Sequence, residues 1–420
     1  MKTKILIIAS ICISTNVLAG GYRVALQGQN ATGMGHTGVA MTDSAEVVFF
    51  NPAGMSSLKK NSSLSAGVTL IDSTIKYQNA PTNTSAETDN PVGTPLYLYY
   101  AKKFNSQMSL GLGIYTPFGN TVNWEKDWQG SHLVNDISLK TVYVQPTISY
   151  KVNDKISLGA GPIYANGSVE FNRDLGTALA DENGDPSNVT IKANNISSYG
   201  FSLGLLAKPM NELTVGLNYR SRIDLEARGA NADFSNVKSG LQAKFSDTTF
   251  DSDLVLPAEL TLGIAYHLMP KTLLAIDINR TLWSQYKSLN VTFDNGTTPP
   301  SLGPRNYKDV NVYRVGIQHK VNSFITVRGG AYYDDSPVQA GYYTPETPRN
   351  DSIGFTAGGS LKVSNSLDVS VSFLYLLFKE FNGSYDYVGH DNDPATLDSS
   401  FGGDYLSSVT SVGLGFNYKY

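Results

Sequence analysis

Cysteine is almost missing: Cys12 is the only one in 420 residues. It sits inside an apolar run, Ile5 to Ile13, that follows Lys2 and Lys4 and precedes Val17-Leu18-Ala19. That order reads as a secretory signal peptide over residues 1–19, cut after Ala19, and the run is too short to be a membrane anchor. Ile11 stands where a lipoprotein cysteine needs a small residue before it. The mature chain therefore has neither a disulfide nor thiol chemistry, and loss of Lys2 and Lys4 takes its formal charge from −4 to −6. Charge is scarce as well, at 16% against roughly 25% in soluble proteins. Beyond the signal no apolar run approaches the ~18 residues of a membrane helix. The first shortage speaks against a string of soluble domains and the second against a helical membrane protein. What fills the space is tyrosine (25), glycine (39) and abundant Ser, Thr and Asn. Apolar surface spread thinly over strands in an exported chain points to an all-β outer-membrane barrel.

The strands support this. In "LSSVTSVGLGFNYKY" one parity runs Leu406, Ser408, Thr410, Val412, Leu414, Phe416, Tyr418, Tyr420 and grows apolar. The other is small or polar, with Val409 the exception. Period-two alternation of this kind separates a lipid face from a lumen face. It recurs where Leu213, Val215, Leu217 and Tyr219 oppose Asn218, Arg220 and Arg222, and where Ile276 and Ile278 oppose Asp277 and Asn279. Charges repeated on one strand face would be costly in a dry core and are tolerated in a polar lumen. Fourteen such runs occur, from 62–78 to 406–420, the third being 107–118. Tight turns ("FNSQ", "VNDK", "KPMN", "LMPK", "VNSF", "VSNS") alternate with long polar segments such as Ala227 to Asp253. Short turns on one rim, long loops on the other and an even strand number describe a 14-stranded antiparallel transmembrane barrel over residues 61–420.

Fourteen strands make a cylinder about 28 Å across, too wide for side chains to fill. Residues 20–60 show no barrel alternation and are rich in Gly, Ala and Met. They are expected to fold inside as a hatch. "FFNPAGM" within them is apolar and turned at Asn51, Pro52, Ala53 and Gly54, which suits packing against the inner wall.

Several phrases carry a family resemblance: "GMGHTGVAMTDSAEVVFFNPAGM", "LPAELTLGIAYHL", "WSQY" and "YRVGIQHKVNSFITVRGGAYYDDSPV". Over essentially the whole mature chain the sequence resembles the long-chain fatty-acid outer-membrane transporter (FadL) family. The resemblance implies a fourteen-stranded barrel with an N-terminal hatch. It also implies passive uptake of hydrophobic molecules, which enter at external loops and leave sideways through the wall.

On that basis Thr116, Pro117, Phe118 and Gly119 mark the expected lateral opening. Pro117 lacks a ladder donor and Gly119 permits a bend, and Asn51 is expected to face the break. Trp124, Trp128 and Leu133 suggest a short amphipathic helix offering an apolar groove for ligand capture. Inward cations are expected to pair with lumen acids such as Asp224 and Glu226 or with the hatch. Lys308 and Arg314 are the candidate partners for a fatty-acid carboxylate. Asn166 stands where the fatty-acid pattern carries a basic residue, which favours neutral aromatic hydrocarbons as the alternative cargo. A plugged general porin is the other alternative. The G-x-G-x-x-G match at Gly33, Gly35 and Gly38 lacks the surrounding βαβ unit, and the five histidines have no ligand-like spacing. No enzyme, cofactor, metal or nucleic acid is therefore expected, and a monomer in contact with outer-membrane lipid is.

Overall fold

The computed structural model describes residues 21–176, 179–348, 350–393 and 396–420. The expected signal peptide lies outside the described residues. A single antiparallel sheet closes into a barrel of fourteen staves. The first seven are β1 (Ser62–Asn79), β2 (Leu96–Lys103), β3 (Met108–Tyr115, resuming at Gly119–Asn123), β4 (Asp136–Lys151), β5 (Ile156–Asp174), β6 (Asn188–Met210) and β7 (Leu213–Arg220, resuming at Ile223–Ser235). Then come β8 (Thr248–Leu256 and Glu259–Met269), β9 (Thr272–Thr281), β10 (Val310–Lys320), β11 (Ile325–Asp334), β12 (Ser352–Lys362), β13 (Leu367–Phe378) and β14 (Ser399–Lys419). Closure is made by β1 against β14, in register from Ser63↔Lys419 to Gln78↔Asp404. A closed sheet leaves no unpaired edge, which a lipid environment requires.

The alternation read in β14 is the inside–outside division. Leu406, Val412, Leu414, Phe416 and Tyr418 are exposed on the outer face, whereas Ser407, Ser411 and Asn417 are buried on the inner one. Val409 breaks the polar pattern because it packs with Ile71, Leu374 and Leu376 against Val24 and Leu26 of the N-terminal segment. One stave, β7, shows a switch of the buried parity along its length. In β7 the ladder stops at Arg220 and resumes at Ile223, so Ile223, Leu225 and Ala227 become the buried parity. Arg222 is consequently turned outward, not inward as the sequence pattern suggested, and pairs with the half-exposed Asp224 at 2.7 Å. Likewise the segment after Ala227 is not a loop, since β7 and β8 continue as a paired hairpin well past it.

Residues 21–58 are mostly buried and pack against glycines of the wall. They form two short helices, α1 (Gln29–Thr32) and α2 (Val47–Phe50), and a 3-10 turn, Pro52–Ser57. Asn51 caps that turn by accepting from Ala53 N at 3.1 Å. Wall glycines let this backbone come close. A Cβ at Gly204 or Gly159 would overlap Asn51, Pro52 and Ala53, and one at Gly216 would overlap Val39. Polar ties add direction: Gln145 Nε2 donates to Val48 O at 3.1 Å, and Asp277 Oδ2 accepts from Gly38 N at 2.8 Å.

Candidate functional site

The centre of the site is a break in β3. Its ladder with β2 runs to Tyr97↔Tyr115 and its ladder with β4 to Tyr115↔Tyr143. After Thr116-Pro117-Phe118, pairing resumes with β4 alone, from Gly119↔Lys140. Four residues of β3 advance against three of β4, so the chain bulges at the position where proline removes a ladder donor. The freed backbone groups turn inward to the N-terminal segment. Pro117 O accepts from Val24 N at 2.7 Å, Gly119 N donates to Tyr22 O at 2.9 Å, and Thr116 O accepts from Gln27 Nε2 at 2.8 Å. Tyr22, Arg23 and Val24 therefore act as a short strand laid on the break, with Arg23 bridged to Phe118. Phe118 is held inward by Thr141, whose hydroxyl donates to its carbonyl at 2.6 Å.

Asn51 does not face this break. It is fully buried, donating from Nδ2 to Val39 O and to Leu205 O of β6, both at 3.0 Å. The contact expected of Asn51 is made by Tyr22, Val24 and Gln27, which no motif singled out. They bond β3 chiefly through the backbone, and backbone bonds leave little trace in sequence.

Arg23 anchors the same stretch. Its guanidinium meets Glu259 at 2.8 Å and Asp334 at 3.5 Å, and donates to Asn279 Oδ1 at 3.0 Å. Arg220 shares Glu259 at 3.0 Å, donates to Phe49 O at 2.9 Å and lies over the Phe49 ring at 4.2 Å. Asp224 and Glu226 take no part in this network. Arg314 is buried alongside, donating to His36 O at 3.4 Å. Lys308 is exposed, with its backbone N–H bound to Pro337 O at 2.9 Å. Of the two expected carboxylate partners, Arg314 is thus buried and Lys308 exposed.

Above the break lies a cavity of about 420 Å³, lined by apolar groups such as Leu139, Phe171, Ile191, Leu225 and Phe250, with Tyr22 and Asn120 at its edge. Tyr22 is wedged edge-on against Trp283 at 4.9 Å and Tyr286 at 5.7 Å between centroids, and its hydroxyl donates to Val255 O. Two cations reach the cavity. Arg305 is matched by Glu346 at 2.5 Å, and Asn120 Nδ2 donates to Glu346 O at 2.6 Å, which ties this pair to β3 just past the break. Arg173 instead donates to His132 O and Ser301 Oγ, both at 3.2 Å and both uncharged. Burial, and next the Arg173 guanidinium, hold the His132 imidazole below the usual histidine range.

Leu133 lines this cavity. Trp124 and Trp128 do not share it. Residues 125–134 are turns, not the amphipathic helix that the four-residue spacing suggested. The two indoles stack at 4.1 Å and bury themselves in a separate loop core with Tyr77, Val134, Tyr343 and Tyr405. Their N–H groups donate to Pro345 O at 3.2 Å and Val134 O at 2.8 Å.

Residues 10–420 match the model of a family described as outer membrane protein transport protein (OMPP1/FadL/TodX). Outer membrane protein P1 of Haemophilus influenzae is 22% identical over 96% of this chain and 95% of its own length. The long-chain fatty acid transport protein of Escherichia coli K12 is 24% identical over 88% of this chain and 91% of its own. Among solved structures, a Pseudomonas aeruginosa FadL homologue superposes with a TM-score of 0.83 at 20% identity, covering 95% of this chain and 100% of that one. The toluene transporter TodX of Pseudomonas putida gives 0.71 at 17% identity, covering 94% and 98%. A closed fourteen-stave barrel, an apolar chamber above a broken stave and a family match over nearly the whole length agree: the chain belongs to the OMPP1/FadL/TodX family of outer-membrane transporters of hydrophobic compounds.

Proposed function

We propose that this protein carries long-chain fatty acids across the outer membrane by passive diffusion. The acyl chain lies along the apolar wall of the chamber, and the carboxylate meets Arg173. The cargo leaves sideways into lipid at the broken stave, residues 116–119, while residues 21–61 keep the lumen closed to water and small solutes. The observation that carries this reading is the pairing of an apolar chamber with a cation whose bonds go to uncharged oxygens. A carboxylate arriving there gains charge-assisted hydrogen bonds, each worth about 1.5–3 kcal/mol when the partner is charged. Leu133 contributes apolar surface to capture. Trp124 and Trp128 support the loop that carries it. Relatives named as long-chain fatty acid transport proteins and as a toluene transporter bracket the choice of cargo.

A second reading, neutral aromatic hydrocarbons, is favoured by one fact: the other chamber cation, Arg305, already has its counter-charge in Glu346. Arg173→Gln separates the two. Labelled fatty acid and labelled alkylbenzene are followed into proteoliposomes, normalised to folded barrel. Binding of the acid should weaken by roughly 10- to 100-fold, as the loss of one charged hydrogen bond implies, with alkylbenzene uptake unchanged. Equal uptake of both by wild type and variant points to neutral cargo. Rapid swelling of the same vesicles in sugars points to a porin.

A further inference from the structure

At the short-turn rim, directly beneath the last turn of the lumenal segment, is a second and unrelated cavity of about 230 Å³. In outer-membrane barrels this rim faces the periplasm. The cavity is lined by Ser56 and Ser57 from the lumenal segment and by Lys151, Lys155, Ser157 and Lys208 from the wall. Three staves supply the lysines: Lys151 closes β4, Lys155 ends the turn into β5, and Lys208 lies near the end of β6. The fold fixes their proximity, because Lys208 N donates to Lys155 O at 2.7 Å. Its one carboxylate, Asp154, pairs with Lys151 at 2.6 Å through a side chain that is 95% exposed. Among the described residues Lys155 and Lys208 form no ion pair, and Lys103 and Lys59 stand close enough to add repulsion at Lys208. Ser56 Oγ lies 2.8 Å from Ser157 Oγ, joining the lumenal segment to the wall at the cavity edge.

Several ammonium groups held together with so little counter-charge repel one another, and the repulsion is relieved when an anion sits among them. We propose that this pocket is a binding site for a phosphate group, shared between the wall and the lumenal segment. Tetrahedral oxyanions suit it because they present three or more acceptor oxygens. Ammonium and hydroxyl donors here converge from more than one direction, and a two-oxygen carboxylate would satisfy fewer of them. Both a phospholipid headgroup folding over the rim from the inner leaflet and a soluble phosphate ester carry this chemistry. The site stands apart from the transported cargo, so its failure would leave the transport reading intact.

The test uses the full-length protein in non-ionic detergent, titrated with inorganic phosphate and followed by calorimetry and phosphorus NMR. Saturable binding is expected, weakened at least tenfold in the Lys155→Gln/Lys208→Gln variant and lowered by Ser57→Ala. Lys271→Gln/Lys320→Gln, elsewhere on the same rim and joined by a similar backbone bond of 2.9 Å, should bind as wild type does. Heat-modified gel mobility confirms that each variant is a folded barrel. In nanodiscs, competition by phosphatidylglycerol against inorganic phosphate identifies the lipid headgroup as the source, and its absence identifies a soluble ester; either result supports the site. Three outcomes overturn it: no saturable phosphate binding by the wild type, acetate binding as tightly as phosphate, or equal loss in both lysine pairs.

Discussion

Replacing Arg23 by Met tests whether the lumenal segment is held shut by its ionic anchor. Arg23 meets Glu259 at 2.8 Å and Asp334 at 3.5 Å with all three side chains less than a tenth exposed. Methionine keeps the apolar stem and removes the charge. Glu259 retains Arg220 at 3.0 Å, whereas Asp334 loses the only salt bridge it makes among the described residues. Breaking a buried pair from one side typically costs about 3–5 kcal/mol, because the remaining charge stays desolvated. The barrel ladder does not depend on Arg23, so this cost falls on docking of the segment and not on folding of the wall. At 1.4 kcal/mol per factor of ten, the undocked fraction should rise by roughly 100- to 5,000-fold. Single-channel recording in planar bilayers reads this as more frequent high-conductance openings, with heat-modified gel mobility unchanged. Adding Asp334→Asn removes the stranded charge and should recover part of the closure, a coupling that a double-mutant cycle quantifies. Openings no more frequent in Arg23→Met than in wild type, or a double variant as leaky as the single one, would refute the reasoning.

Replacing Pro117 and Gly119 by Thr and Val should let β3 pair continuously and close the wall; uptake falls while ligand binding at the chamber survives, and normal uptake would sink lateral exit. Gly204→Ala places a methyl against Asn51 and Pro52, an overpacking of about 1–3 kcal/mol, and should raise channel leak by roughly 5- to 150-fold without altering barrel melting. Trp128→Ala removes half of a buried stack and should cost the loop core about 3–5 kcal/mol, read as faster proteolysis within residues 124–135. The His132 imidazole should titrate below the ordinary histidine midpoint of about 6.5 by NMR, and Arg173→Gln should move it upward, since the neighbouring guanidinium disfavours its protonated form.

How much of this was legible beforehand follows from the range of each interaction. Barrel architecture was, because period-two alternation is imposed residue by residue: each lipid-facing Val412 or Phe416 has its lumen-facing Ser411 or Asn417 next door. The β3 break was legible too, since a proline's missing donor is local. Helical spacing misled at Trp124 and Trp128, where turns and a mutual stack satisfy the same two side chains.

What the sequence determined by itself, then, is the wall: strand periodicity, tight turns on one rim, an even number of staves and the weak point at Pro117. Only the tertiary structure decided which residues meet across the lumen. Arg23 finds Glu259 and Asp334 across more than 230 positions, Arg222 turns outward through a two-residue pause in β7, and Val24 and Tyr22 complete the ladder that β3 abandons. Such contacts depend on where closure of the ring brings distant staves, and on backbone groups that every residue carries alike. No local pattern encodes either.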